Sequence, residues 1–184
     1  MSKTEIEGRV WVLLDGLGAL IEDIDTDQIF HNAYLHLTDI KQMGPYALGN
    51  LEGWKDFPAK AKPGDILVAG RNFGAGSSRQ QAVDCFMALG LAAILAPSFG
   101  AIYFRNAVNS GLPVLRSRAL EGIVREGKLV SGDKIKVDGL SGRAGIAGRA
   151  VTFEVVPMSR VQADILAAGN LFLFGRTLQK SGRP

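Results

Sequence analysis

The sequence of 184 residues predicts an α/β fold with a mostly parallel central sheet and a smaller antiparallel sheet. Three observations carry this. Short apolar runs at 65–69, 92–96 and 112–115 alternate with amphipathic segments at 80–89 and 99–109. That order builds a parallel sheet through right-handed crossovers. The stretches 134–138 and 151–156 instead alternate apolar with polar around the turn-rich 139–148, as antiparallel strands with one wet face do. An apolar content of 47% at this length fits a single domain with a real core, spanning 1–184.

In chain order, residues 8–14 alternate loosely and form the first strand, and Asp15-Gly16-Leu17-Gly18 turns it. Asp23, Asp25 and Asp27 then alternate with Ile24 and Thr26. The EF-hand pattern fails here for want of its glycine and terminal glutamate. A loop whose aspartates accept backbone N–H bonds is the direct reading. Residues 38–41 start a short helix. The stretch 43–63 has no period and is an ordered surface excursion with one helical turn. Its Tyr46, Trp54 and Phe57 serve either local packing or contact with a partner chain.

After the strand at 92–96, the helix at 99–109 sets Ile102, Tyr103, Ala107 and Val108 near one side, and Gly111 ends it. A short helix covers 119–126. Another, at 160–168, shows Val161, Ile165 and Leu166 as its apolar residues before the stop Gly169-Asn170. The tail, about 170–184, carries Leu171-Phe172-Leu173-Phe174, which is apolar enough to dock on the core or on a partner.

The chemistry concentrates in Gly70-Arg71-Asn72-Phe73-Gly74-Ala75-Gly76-Ser77-Ser78-Arg79-Gln80-Gln81-Ala82. It joins the run at 65–69 to a helix with Ala82, Cys85, Phe86 and Leu89 on one face. A strand that breaks into a glycine-rich turn and opens a helix leaves N–H groups above the sheet edge, where they and the helix dipole favour an anion. Gly74 and Gly76 allow positive φ and close approach of a ligand. Ser77 and Ser78 add hydroxyls, and Arg79 adds a fork of donors suited to carboxylate or phosphate. No Gly-Lys-Ser/Thr follows, so this is no Walker loop, and Arg79 replaces the third glycine of the dinucleotide fingerprint. The plainer alternative is a tight turn in which Ser77 or Ser78 caps the helix. In a parallel sheet a ligand lies beyond the carboxyl ends of the strands, where this loop sits.

Composition excludes several classes. The net charge of +3 is mild and scattered, with no basic stripe for nucleic acid. One cysteine, Cys85, rules out an internal disulfide and fits a reducing compartment. It cannot hold an iron–sulfur cluster, which takes several thiolates, and its helical spacing marks it as a small core residue. With only His31 and His36, no metal site is expected in this chain. The N-terminus is polar, without the apolar core of a signal peptide, and no apolar run is long enough to span a membrane. A cytoplasmic protein is expected.

The run Asn72-Phe73-Gly74-Ala75-Gly76-Ser77-Ser78-Arg79 resembles the signature loop of the aconitase superfamily's mobile (swivel) domain. Asp23-Ile24-Asp25-Thr26-Asp27-Gln28-Ile29 resembles that family's N-terminal acidic motif. Ala96-Pro97-Ser98-Phe99-Gly100-Ala101-Ile102-Tyr103-Phe104-Arg105-Asn106-Ala107, with Gly111-Leu112-Pro113-Val114-Leu115, resembles its downstream segment. The three follow the family's order and cover roughly 8–140, and the chain's length resembles the stand-alone small subunit of the isopropylmalate and homoaconitate isomerases. The family's usual Gly-Cys-Gly carries Ala75 in the middle, and its Glu-His is Gln80-Gln81. Ser77, Ser78 and Arg79 are intact.

The resemblance implies a swivelling β/β/α three-layer domain and a hydro-lyase that dehydrates and rehydrates a hydroxy-di- or tricarboxylate. A [4Fe–4S] cluster would sit in a large partner subunit and none in this chain. Ser77 would be the catalytic serine, Ser78 and Arg79 carboxylate binders, and Asp27, Gly74 and Gly76 supports of the loop. Tyr34-Leu35 resembles a family pair that precedes the readers of the variable end of the substrate, which makes His36, Leu37 and Thr38 those readers. The missing arginine at His36 and the aliphatic Leu37 favour a branched apolar end such as that of isopropylmalate. Homoaconitate and dimethylmalate stay as alternatives within the class. A non-catalytic anion-binding module and an RNA-binding regulator stay outside it.

Overall fold

The computed structural model describes residues 3–180. Its organising strand is β1 (Glu5–Val12). The end of β1, from Val10 to Val12, pairs in parallel with β2 (Ile66–Val68). Its start, from Glu5 to Arg9, pairs antiparallel with β5 (Lys134–Asp138). The parallel half continues through β3 (Ala93–Ala96) and β4 (Val114–Arg116), the antiparallel half through β6 (Arg143–Ile146) and β7 (Thr152–Glu154). The order is β4-β3-β2-β1-β5-β6-β7. The two sheets expected from the sequence are thus two halves of one seven-stranded sheet, joined because β1 is long enough to serve both. The strand β6 was hidden inside the stretch read as turns.

Successive side chains on a strand face opposite ways, and the parallel strands show it. Leu67 and Ile94 pack beneath α3 (Gln81–Ala88) and α4 (Ala101–Ser110). Ile66, Val68, Ala93 and Leu95 face a second core with α5 (Ala119–Arg125) and Ile135, Val137, Ala144, Ile146 and Phe153 of the antiparallel half. The antiparallel half therefore covers the second face of the parallel one, which gives the expected β/β/α layering. On α4, Tyr103 and Ala107 form the buried side, whereas Ile102 is 44% exposed because one residue turns the direction by about 100°.

Asp65, just before β2, pins the two central strands. Its carboxylate accepts from Arg9 Nη2 at 2.6 Å, Trp11 Nε1 at 2.8 Å and the Lys62 N–H at 2.8 Å. Burial pushes this carboxyl up, but those donors outweigh it and hold it below the usual carboxylate range.

The excursion 43–63 holds two helical turns where one is expected, and the short helix expected from 38–41 is present as a 3₁₀ turn. Three 3₁₀ turns, at Asn32–Tyr34, Ile40–Gln42 and Gly44–Tyr46, precede α2 (Phe57–Lys60). Its aromatic residues pack locally. Tyr46 stacks on Tyr34 at 4.0 Å, Trp54 Nε1 donates to Leu14 O at 3.2 Å, and Phe57 is buried.

At the other end, α6 (Arg160–Ala168) opens on a Ser159–Gln162 capping box and buries Ile165 and Leu166, while Val161 stays exposed. The expected tail is α7 (Leu171–Lys180), which packs on α6 and α4, and residues 181–184 of it lie outside the described residues. No helix among the described residues is long and apolar enough to cross a membrane.

Candidate active site

The serine loop leaves β2 and runs beside the acidic segment, two stretches fifty residues apart in sequence. Gly74 N donates to Ile24 O at 2.7 Å and Thr26 N to Ala75 O at 2.9 Å, while Asn72 Nδ2 reaches Asp23 Oδ1 at 2.8 Å. Gly74 adopts φ +76°, and a Cβ there would lie 2.2 Å from the Tyr103 ring. Only glycine fits that space and that backbone.

The acidic segment is a capped helix as well as a loop. Asp25 caps α1 (Thr26–Ile29), accepting from Asp27 N and Gln28 N at 2.8 Å, while Gln28 Oε1 accepts from Asp25 N at 2.9 Å. That reciprocal pair is a capping box with aspartate as its first member. Asp25 and Asp27 accept backbone N–H groups, as the sequence implies, whereas Asp23 accepts from the Asn72 side chain. Among the described residues no group of three His, Cys, Asp or Glu side chains is placed to hold a metal ion. Cys85 is fully buried, and burial pushes its thiol far up, so it is no ligand in waiting.

The short α1 then holds both functional ends of the serine loop. Thr26 Oγ1 lies 3.1 Å from Ser77 Oγ and donates to Ser77 O at 3.3 Å. Arg79 Nη1 donates to Asp27 Oδ1 at 2.7 Å, Phe30 O at 2.6 Å and Thr26 O at 3.2 Å. One of these acceptors, Phe30 O, is the carbonyl of the α1 C-cap, a favoured place for a cation. The Arg79 bond holds the Asp27 carboxyl below its usual range. Asn50 Nδ2 and the Asn32 N–H, each 3.1 Å from an Asp27 oxygen, secure the carboxylate further. The arginine is therefore partly engaged: one nitrogen anchors the loop, and among the described residues Nε and Nη2 make no hydrogen bond.

Ser77 and Ser78 are exposed, and neither caps α3; Gln80 holds that position and makes no side-chain cap bond. The capping alternative therefore falls. Among the described residues the N–H groups of Ser77, Ser78, Gln80 and Gln81 make no hydrogen bond. A run of such donors at a helix start is what an anion needs.

Of the expected substrate readers, His36 is exposed, with Nδ1 3.0 Å from Ala33 O. Leu37 is half-buried and packs against the main core. The sequence reasoning missed Thr26 and Asn50. Thr26 sits in the quoted acidic motif between Asp25 and Asp27, and that position was the only signal in the sequence; Asn50 had none.

The aconitase C-terminal domain family matches residues 25–119, which span both halves of this site. The chain belongs to that family. Relatives agree over nearly the whole length. The 3-isopropylmalate dehydratase small subunit of Nautilia profundicola is 33% identical, covering 97% of this chain and 98% of that protein. The protein of the same description from Lachnospira eligens is 40% identical, covering 91% and 92%. The crystal structure of 3-isopropylmalate dehydratase (leuD) from Methanocaldococcus jannaschii superposes with a TM-score of 0.81 at 32% identity, over 97% of this chain and 98% of that one.

Proposed function

We propose that this chain is the small subunit of a 3-isopropylmalate dehydratase, a hydro-lyase that moves a hydroxyl by dehydration and rehydration, active only with its large subunit. The observation that carries it is Ser77 Oγ at the edge of a run of unpaired N–H groups, in a chain whose relatives share the description. Loss of the hydroxyl needs a Lewis acid, which in this reading is a [4Fe–4S] cluster held by the large subunit. The residues here do not fit such a group, since the one thiol is buried, so this chain's share is the carbon side of the reaction.

The hydrogen on carbon beside a carboxylate is acidified when its carboxylate is bound by cations and N–H donors. Ser78, the N–H groups of Gln80 and Gln81 and the free edge of Arg79 offer those contacts. Ser77 Oγ, as its alkoxide, takes the proton in the dehydration and gives it back in the rehydration to the carbon that lost the hydroxyl. A serine is a poor base at neutral pH, so its anion needs stabilisation where it forms. The loop N–H groups and the start of α3 supply fixed dipoles for that purpose. Thr26 Oγ1 and the Arg79–Asp27 pair position Ser77.

Reconstitution with the large subunit under anaerobic conditions tests this. In a panel of isopropylmalate, dimethylmalate, homoaconitate and citrate, kcat/KM should be highest for isopropylmalate. A preference for a tricarboxylate overturns the substrate, and no turnover with any member turns the chain into a non-catalytic anion-binding module.

A further inference from the structure

Beside the serine loop, but outside it, lies a groove of about 540 Å3 between α3, α4 and α7. Its rim is apolar and exposed: Ile40 44%, Met87 36%, Leu171 43% and Phe172 69%. Its floor is not apolar. Asp84 lines it, a carboxylate only 9% exposed. One oxygen, Oδ1, accepts from Gln80 Nε2 at 2.8 Å, and the same nitrogen donates to Ser110 Oγ at 2.9 Å. Among the described residues Oδ2 has no partner, and it is not sealed from solvent.

Burial raises this carboxyl above its usual range, with the Gln80 bond opposing. No Lys, Arg or His lines the groove. Asp84 lies in the first turn of α3, which favours a negative charge, but a carboxylate this little exposed still gains stability from a cation, and the groove offers none. Exposed apolar side chains such as Phe172 beside an uncompensated carboxylate are the make-up of a surface that a partner covers. The rim asks for apolar surface and the floor for a basic group.

We propose that this groove seats the large subunit, which inserts a lysine or arginine onto Asp84 while its apolar neighbours cover Phe172, Leu171, Met87 and Ile40. The proposal rests on the reading of the chain as a small subunit. The complementary charge sets the choice: a partner with a basic side chain amid apolar ones fits, whereas a second copy placing this same patch on itself would bring two Asp84 carboxylates together. Gln80 and Asp84 lie on the helix that opens at the serine loop, so docking there would fix the loop against the partner.

The test measures the dissociation constant of the small subunit for the purified large subunit by titration calorimetry, for wild type, Asp84→Asn and Phe172→Ser. Wild type should bind. Each variant should bind at least tenfold more weakly, and the salt dependence of binding should shrink for Asp84→Asn only. The thermal midpoint of the free Asp84→Asn chain should hold or rise, because an unpaired buried carboxylate has been neutralised; a purely structural aspartate would lower it. Excess large subunit should restore the turnover of both variants.

If wild type binds and both variants bind equally well, the docking site is wrong while the functional reading stands. If wild type fails to bind, both readings fall. If sedimentation shows the free chain dimerising through Phe172, the occupant is a second copy and the proposal is overturned.

Discussion

Two glycine-rich turns in this molecule follow strands, and they use their backbone in opposite ways. The turn at 139–142 closes on itself. Leu140 N and Ser141 N donate to Asp138 Oδ1 at 2.9 and 3.2 Å, Gly142 N to Asp138 O at 2.9 Å, and Gly139 N to Thr4 O at 2.8 Å. The loop at 72–79 is held from outside, by Ile24 O, Thr26 and the Arg79–Asp27 pair, and its own donors at Ser77 and Ser78 stay unpaired among the described residues. Glycine content is similar; the destination of the N–H groups differs. A turn that satisfies itself is a connector, whereas one positioned by a neighbouring element keeps its donors for a ligand.

The largest effect should come from removing the one side chain that acts in the chemistry. Ser77→Ala in the reconstituted enzyme should lower kcat about a thousandfold, within the range for a positioned acid–base group, with KM changed only a few-fold. The same change at Ser141 in the other turn should leave turnover intact. Steady-state kinetics on the two variants separates them.

The next effect is on stability. Gly74→Ala meets both a positive φ and the Tyr103 ring at 2.2 Å, and should cost roughly 3 kcal/mol from strain and overpacking together. Gly148→Ala has φ +75° but open space around it, and should cost about 1 kcal/mol. Chemical denaturation of both variants gives the difference, and equal costs would show that the loop is not held by its neighbours.

Smaller still is Arg79→Lys, which replaces the planar guanidinium, whose Nη1 bonds Thr26 O, Asp27 Oδ1 and Phe30 O, by a single ammonium. KM should rise about tenfold with a lesser change in kcat, because positioning is lost while a charge remains. The smallest effect is a pH dependence. The Asp27 carboxyl lies below its usual range chiefly through the Arg79 bond. The stabilisation is therefore full above the ordinary carboxylate value, about 4, and is lost as pH falls through the depressed one. Thermal midpoints of wild type and Asp27→Asn should differ at pH 6 and converge on acidification.

Much of this was written in the sequence in physical terms. Parallel strands buried on both faces read as continuous apolar runs, which is why 66–68 and 93–96 were recognisable. Gly111 and Gly169 ended helices as C-caps with positive φ. What the sequence hid was long-range or weakly patterned. Arg143-Ala144-Gly145-Ile146 has too little periodicity and a glycine, so β6 looked like part of a turn. That β1 serves both halves of the sheet depends on pairing partners more than fifty residues away. Phe172 and its neighbours form a helix, yet an unbroken apolar run gives no polar rhythm to show it. At the site, the residue types pointed to an anion, but the bonds from Thr26 to Ser77 and from Arg79 to Asp27 cross fifty residues.

In the proposed function the loop, and not the hairpin turn, presents unpaired N–H groups to a carboxylate. A nitrogen-15 NMR titration of the labelled chain with isopropylmalate reports it directly. The amides of Ser77, Ser78, Gln80 and Gln81 should shift together along one saturation curve, while those of Leu140, Ser141 and Gly142 stay in place. Saturable shifts in the hairpin with a motionless serine loop would contradict it.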